Sequence, residues 1–183
     1  MIILGIDPSY TRTGLAAIED HGIPGRERIL GTHTIATKPG TSDLERSRTI
    51  ARMCANLARV HKADAVAIES QYAGQQNMQV AMRLASLRSA IEQRLRDTYA
   101  EDRIVAVTPG ERAEALGIKG RLKRVELKQR VLQAVKQRYD YTLDFDDEAD
   151  AVGIALAAGR RLRRGEKAEQ LRMTLQAKQK ARL

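Results

Sequence analysis

Cysteine occurs once, at Cys54, so the chain cannot close an internal disulfide, and a lone thiol fits a reducing compartment. Histidine occurs three times, at His21, His33 and His61, too scattered to make a zinc-spaced cluster with that cysteine. Aromatic residues are only 3% of the chain, so each one placed in a loop carries information. No apolar run approaches the roughly 20 residues that a membrane-spanning helix needs. No basic stretch precedes the first strand-like run, so no secretory leader is expected. These scarcities exclude a disulfide scaffold and a zinc module, and they predict a cytoplasmic protein with no membrane partner.

The 183 residues suffice for one sizeable core and hardly for two. Net charge is +9, and it is unevenly spread. Residues 160–183 hold nine Lys/Arg against two Glu, which leaves the remaining body about neutral at +2. A basic arm of this kind gains affinity for nucleic acid by releasing condensed counterions. A weak apolar rhythm, Leu162, Leu171, Met173 and Leu175, predicts that it becomes helical on a partner.

Apolar runs and turn signals give an alternating plan. Residues 1–7, 14–20 and 28–37 read as three consecutive strands, and Lys38-Pro39-Gly40 ends the run. Ser42 or Asp43 can cap a helix to about residue 60, with Leu44, Ile50, Met53, Cys54, Leu57 and Val60 near helical spacing. Residues 64–69 are a fourth strand. Residues 75–99 are a long helix with Met78, Ala81, Met82, Ala85, Leu87 and Ile91 on its apolar side. A fifth strand, 103–107, is closed by Thr108-Pro109-Gly110, and helices follow at about 122–138 and from about 147. The order β-β-β-α-β-α-β-α-α argues for a mixed five-stranded α/β sheet with helices on both faces. It divides the chain into a body, 1–159, and a basic C-terminal extension, 160–183.

Four acids stand out from apolar surroundings. Asp7 ends the run Ile2-Ile3-Leu4-Gly5-Ile6, and Glu69 ends Ala65-Val66-Ala67-Ile68. Asp147 and Asp150 stand three apart at the start of a helix-like stretch, so they share a side; Asp146 and Asp150, four apart, would serve as well. Clustered carboxylates repel and raise one another's pKa, a penalty that a bound cation removes. In a basic chain, that pattern points to divalent ions acting on a phosphodiester. Two ions about 4 Å apart would supply an attacking water and neutralise the leaving oxygen. Mg²⁺ takes oxygen ligands and keeps several waters, so a few carboxylates suffice. The alternative for Asp144, Asp146, Asp147 and Glu148 is a solvated acidic helix cap.

The segment Ile-Leu-Gly-Ile-Asp-Pro-Ser-Tyr-Thr-Arg-Thr-Gly, residues 3–14, resembles the first motif of RuvC-type Holliday junction resolvases. Ala67-Ile68-Glu69 resembles their second motif and Asp147-Glu148-Ala149-Asp150-Ala151 their last. The resemblance spans about residues 1–158. It implies an RNase H-like fold, a homodimer, and Mg²⁺-dependent nicking of paired strands in four-way junction DNA, with Mn²⁺ as a substitute metal. It selects Asp7, Glu69, Asp147 and Asp150 as catalytic metal ligands, with Asp7 bridging both ions. It further matches Tyr72 to an aromatic that stacks on a junction base, and Arg88 to the long helix's arginine. Arg112, five residues before Gly117-Ile118-Lys119-Gly120-Arg121-Leu122-Lys123, and Lys123 within that segment match basic DNA-contact positions, with Lys119, Arg121 and Arg124 thickening the patch.

Departures from the family pattern cluster around the junction-facing loop and the dimer helix. Ser9 stands for a glycine, Ser70 for a glutamine, Gln76-Asn77 for Lys-Asn, and Ala85 and Ser89 for glycines. With the basic extension, they suggest a divergent, phage-borne member whose range includes other branched DNA. No branch-migration motor is assigned by these residues. The YqgF-like branch, which would imply RNA processing, shares the opening motif, but Tyr72 and residues 117–123 fit a junction enzyme better. A non-catalytic junction scaffold would need none of the four acids. Kinase-like ATPases open similarly but need paired domains longer than this chain.

Overall fold

The computed structural model describes residues 1–70, 77–118, 120 and 124–180. Its strands are β1 (Ile2–Asp7), β2 (Arg12–Glu19), β3 (Arg28–Ala36), β4 (Ala65–Glu69) and β5 (Ile104–Val107), in spatial order β3-β2-β1-β4-β5. β1, β2 and β3 pair antiparallel, and β1–β4 and β4–β5 pair parallel. The helices are α1 (Asp43–Val60), α2 (Met78–Arg96), α3 (Pro109–Ala115), α4 (Arg124–Tyr139) and α5 (Asp146–Lys180). None among the described residues is long and apolar enough to cross a membrane.

The central strand β1 is apolar from Ile2 to Ile6, up to its terminal Asp7, because both its faces are covered. Leu4 and Ile6 join Leu15, Ala17, Val66 and Ile68 beneath α1 and α2, whose Ile50, Cys54, Leu87, Ile91 and Leu95 are buried there. Ile3 joins Ala16, Ile18, Ala67 and Val105 beneath α5, with Val131 and Val135 of α4 completing that layer. The result is the expected mixed sheet between two helical layers.

Three features differ from the sequence expectation. The order gains a helix: Thr108-Pro109-Gly110 opens α3, where it was expected only to end β5. Thr108 Oγ1 accepts from Glu111 N, and Glu111 accepts in turn from Thr108 N at 2.8 Å, a reciprocal cap with Pro109 in the first turn. On α2 and α1 the buried stripe is narrower than expected, and Met78, Met82, Leu44, Met53 and Val60 are exposed. The basic extension is already helical, as the continuation of α5 to Lys180. Arg160 donates to the Glu114 and Ala115 carbonyls that end α3, and Arg163 pairs with buried Asp20.

Two glycines decide how closely α5 lies on the sheet. A Cβ on Gly5 would stand 2.1 Å from Ala151 O, and one on Gly14 would stand 2.1 Å from Asp147 O. Real Cβ atoms do not approach that closely, so α5 occupies space that only a missing side chain leaves free. Gly5→Ala or Gly14→Ala should therefore push the helix off the sheet and cost about 1–3 kcal/mol as overpacking. At this chain length that is a fall of about 2–4 °C in Tm per kcal/mol. An unchanged urea midpoint for both variants would contradict the contact.

Candidate active site

Strand alternation sets the first half of the site. Along β1, Ile3, Gly5 and Asp7 share the α5 face; along β4, Ala67 and Glu69 do the same. The parallel register pairs Ile6 with Ile68, so Asp7 and Glu69 follow side by side on adjacent strands. Helix α5 brings the second half. Its first turn crosses β2 at Gly14, which is the register partner of Asp7. Asp147 and Asp150 thereby reach the edge where β1 and β4 end. The preceding turn is held by its own hydroxyls: Thr13 Oγ1 donates to Ser9 O at 2.7 Å, and Ser9 Oγ accepts from Thr11 N and Arg12 N. Ser9 thus secures the loop after Asp7.

The four carboxylates feel one another. Burial pushes Asp7 well above its ordinary range, and the charges of Glu69, Asp150 and Asp147 add to the rise. Burial likewise raises Glu69, Asp150 and Asp147. Asp146 goes the other way, because Lys128 of α4 donates to it and holds it ionised. Asp146 is thus engaged with α4, whereas Asp147 pairs more loosely with Arg12 at 3.6 Å. Arg12 in turn lies 4.7 Å over the Phe145 ring. Glu148 is no solvated cap: it is buried and accepts from Thr34 Oγ1 at 3.0 Å and from Asp144 N at 3.3 Å, tying the start of α5 to β3.

Arg112 of α3 stands inside this cluster. Its Nη1 is 2.7 Å from Glu69 Oε1 and 3.2 Å from Asp150 Oδ2. Among the described residues, no three His, Cys, Asp or Glu side chains close on a single point as a ready-made metal cage. The donor set nevertheless suits a hard divalent cation: it is all oxygen, its charges repel, and buried Glu69 Oε1 faces a cation already, the Arg112 guanidinium. Such a cation fits these residues if Arg112 yields its place.

The other expected contact residues fare variously. Arg88 donates to Glu92 Oε1 on its own helix at 2.7 Å. Tyr72, Lys119, Arg121 and Lys123 lie outside the described residues, and of Arg124 only its position opening α4 is described. Sequence reading missed the pairing of Arg12 with Asp147, the anchor at Glu148, and the insertion of Arg112 between two acids. Only Arg12, in the motif itself, carried a signal that could have found its role.

Comparison with known proteins gives a consistent picture. The family described as crossover junction endodeoxyribonuclease RuvC matches residues 3–158. RuvC of Parasynechococcus marenigrum is 31% identical over 158 residues, covering 85% of this chain and 96% of the relative. RuvC of Halothermothrix orenii is 26% identical over 159 residues, covering 87% and 92%. Among solved structures, Thermus thermophilus RuvC superposes with a TM-score of 0.74 at 24% identity, over 90% of this chain and 97% of that one. The fowlpox virus Holliday junction resolvase does so with a TM-score of 0.58 at 16% identity, over 88% and 99%.

The raised carboxyls give the metal-free protein a definite pH response. Their folded-state pKa values exceed the ordinary 3.8 to 4.5, so above that range the folded state binds more protons than the unfolded state. Their contribution to stability is therefore present at low pH and is lost as pH rises through the raised values. Asp7→Asn removes the most strongly raised charge and should increase Tm in EDTA at neutral pH, with the gain shrinking toward pH 4. A lower Tm for this variant at pH 7 would contradict the crowding.

Proposed function

The chain belongs to the RuvC family of crossover junction endodeoxyribonucleases, which resolve Holliday junctions, and we propose that it does so by paired symmetric nicks made at the cluster around Asp7. Divalent-metal dependence comes with that family. The observation that supports the assignment to these residues is that Asp7, Glu69, Asp147 and Asp150 lie near one another where β1 and β4 end beneath α5.

Asp7, Glu69, Asp147 and Asp150 would hold Mg²⁺, two ions per site, with Mn²⁺ as a substitute. Bound there, the ions supply an activated water and neutralise the leaving oxygen. The chain's own part is to fix the oxygens. Strand ends of β1 and β4 hold two of them rigidly, and the first turn of α5, held close by Gly5 and Gly14, holds the other two. No histidine belongs to the set. Tyr72 is proposed to stack on a junction base, worth about 1–3 kcal/mol. Lys119, Arg121, Lys123 and Arg124 are proposed to contact phosphates, which positions DNA without reading its sequence.

A homodimer is part of this reading. A two-fold junction requires two matching cuts, and one site per subunit supplies them. The exposed Met78, Val80 and Met82 at the start of α2 leave an apolar surface that a second subunit could cover. The C-terminal half of α5 extends the same reading to other branched DNA, as a basic rod continuous with the helix that carries Asp147 and Asp150.

Asp7→Asn and Asp150→Asn should each lower Mg²⁺-dependent nicking of a synthetic four-way junction by more than the 10–100-fold typical of outer-shell partners, with binding retained. Nicking within tenfold of wild type would contradict the assignment. Ending the chain after Arg164 spares the arginines tied to Asp20 and α3 and removes five Lys/Arg. The slope of log affinity against log salt should then become shallower. An unchanged slope would remove this segment from the DNA interface.

A further inference from the structure

The oxygens suited to a metal ion are already covered by an organic cation. Arg112 Nη1 spans Glu69 Oε1 and Asp150 Oδ2, and the whole residue is only 8% exposed. The side chain is supported from below, because Gly153 of α5 leaves the room that its stem fills: a Cβ at Gly153 would stand 2.7 Å from Arg112 Cγ. Yet the contact is poorly formed as hydrogen bonding. A guanidinium matched to a carboxylate presents two parallel N–H bonds. Here the single nitrogen Nη1 serves two acids, while Arg112 Nε stays buried with no hydrogen-bond partner. The contact is one-pronged to each acid, so another cation can replace it without breaking a bidentate pair.

We propose that Arg112 is a built-in counter-ion that holds Glu69 and Asp150 together in the metal-free enzyme and competes with divalent ions for those carboxylates. The inference rests on reading the cluster as a metal site. Metal binding frees the guanidinium from its acids while α3 keeps it tethered beside them. The phosphodiester of a bound strand is then the nearest anion of the right shape. Metal loading and phosphate capture become one exchange of partners. By linkage, DNA should tighten metal binding in the same proportion as metal tightens DNA binding. An arginine anchored among the acids thus acts first as a positioning residue for the ligand set.

The test is Mn²⁺ binding in the absence of DNA, by electron paramagnetic resonance of the free ion, with wild type, Arg112→Gln and Arg112→Lys. Arg112→Gln should bind Mn²⁺ about tenfold more tightly, equivalent to about 1.4 kcal/mol, and Arg112→Lys should stay near wild type. In EDTA, Arg112→Gln should melt below wild type and recover when Mn²⁺ is added. Equal or weaker Mn²⁺ binding by folded Arg112→Gln would overturn the proposal. A measurement on the wild type keeps the question open to refutation if that variant does not fold. The side-chain ¹⁵N signal of Arg112 should shift with Mg²⁺ in step with site filling, and a signal indifferent to Mg²⁺ would also overturn it. Separately, the double variant Asp7→Asn/Asp150→Asn must lose Mn²⁺ binding. Retention there would sink the metal reading itself, whatever Arg112 does.

Discussion

Like charges packed against one sheet edge are the constraint on which the rest of this molecule depends. Asp7 and Glu69 are adjacent because β1 and β4 run parallel in a fixed register. Asp147 and Asp150 join them because Gly5 and Gly14 let α5 lie against the strands. Hydrophobic burial of Ile3, Ala151, Ile154 and Ala155 draws helix and sheet together. The same contact drives carboxylates into partial burial, where their charged forms are disfavoured. The core's gain and the site's electrostatic cost come from one packing event.

The surroundings answer that cost residue by residue. Lys128 takes charge from Asp146, Arg12 faces Asp147, and Arg112 enters between Glu69 and Asp150. Glu148, a further acid of the region, is satisfied by threonine hydroxyls of β3 and a backbone N–H. Its bonds fix the start of α5 over the sheet, so an acid outside the cluster orients two within it. The repulsion that remains is what would draw divalent cations to the cluster under the proposed function.

Much of this was legible in the residues. Continuous apolar runs ending in Asp7 and Glu69 identified β1 and β4; helical spacing allowed either Asp146 or Asp147 to share a face with Asp150, and the motif resemblance selected Asp147. Other features required tertiary information. Thr108-Pro109-Gly110 reads as a chain breaker, but Pro109 sits where a helix needs no amide donor, and Glu111 completes the cap. Helical spacing marked Met78 and Met82 as core positions, yet the sheet beneath α2 reaches only as far as Leu87, Ile91 and Leu95. Periodicity identifies a stripe without saying how much of it another element covers. Arg112 looked like one basic residue among several near Gly117. Its burial beside Glu69 follows from the way α3 packs on Gly153, which no local pattern encodes.

The continuous α5 joins two chemistries, acids at its first turn and a dense basic run beyond Arg160. Everything functional about the first end reduces to whether its carboxylates and those of the strands share a cation. Anomalous scattering from crystals soaked in Mn²⁺ tests that claim most directly. A peak bounded by Asp7, Glu69, Asp147 and Asp150, with the Arg112 guanidinium withdrawn from Glu69, is the predicted result. Mn²⁺ density elsewhere, with Arg112 still seated between Glu69 and Asp150, would contradict it.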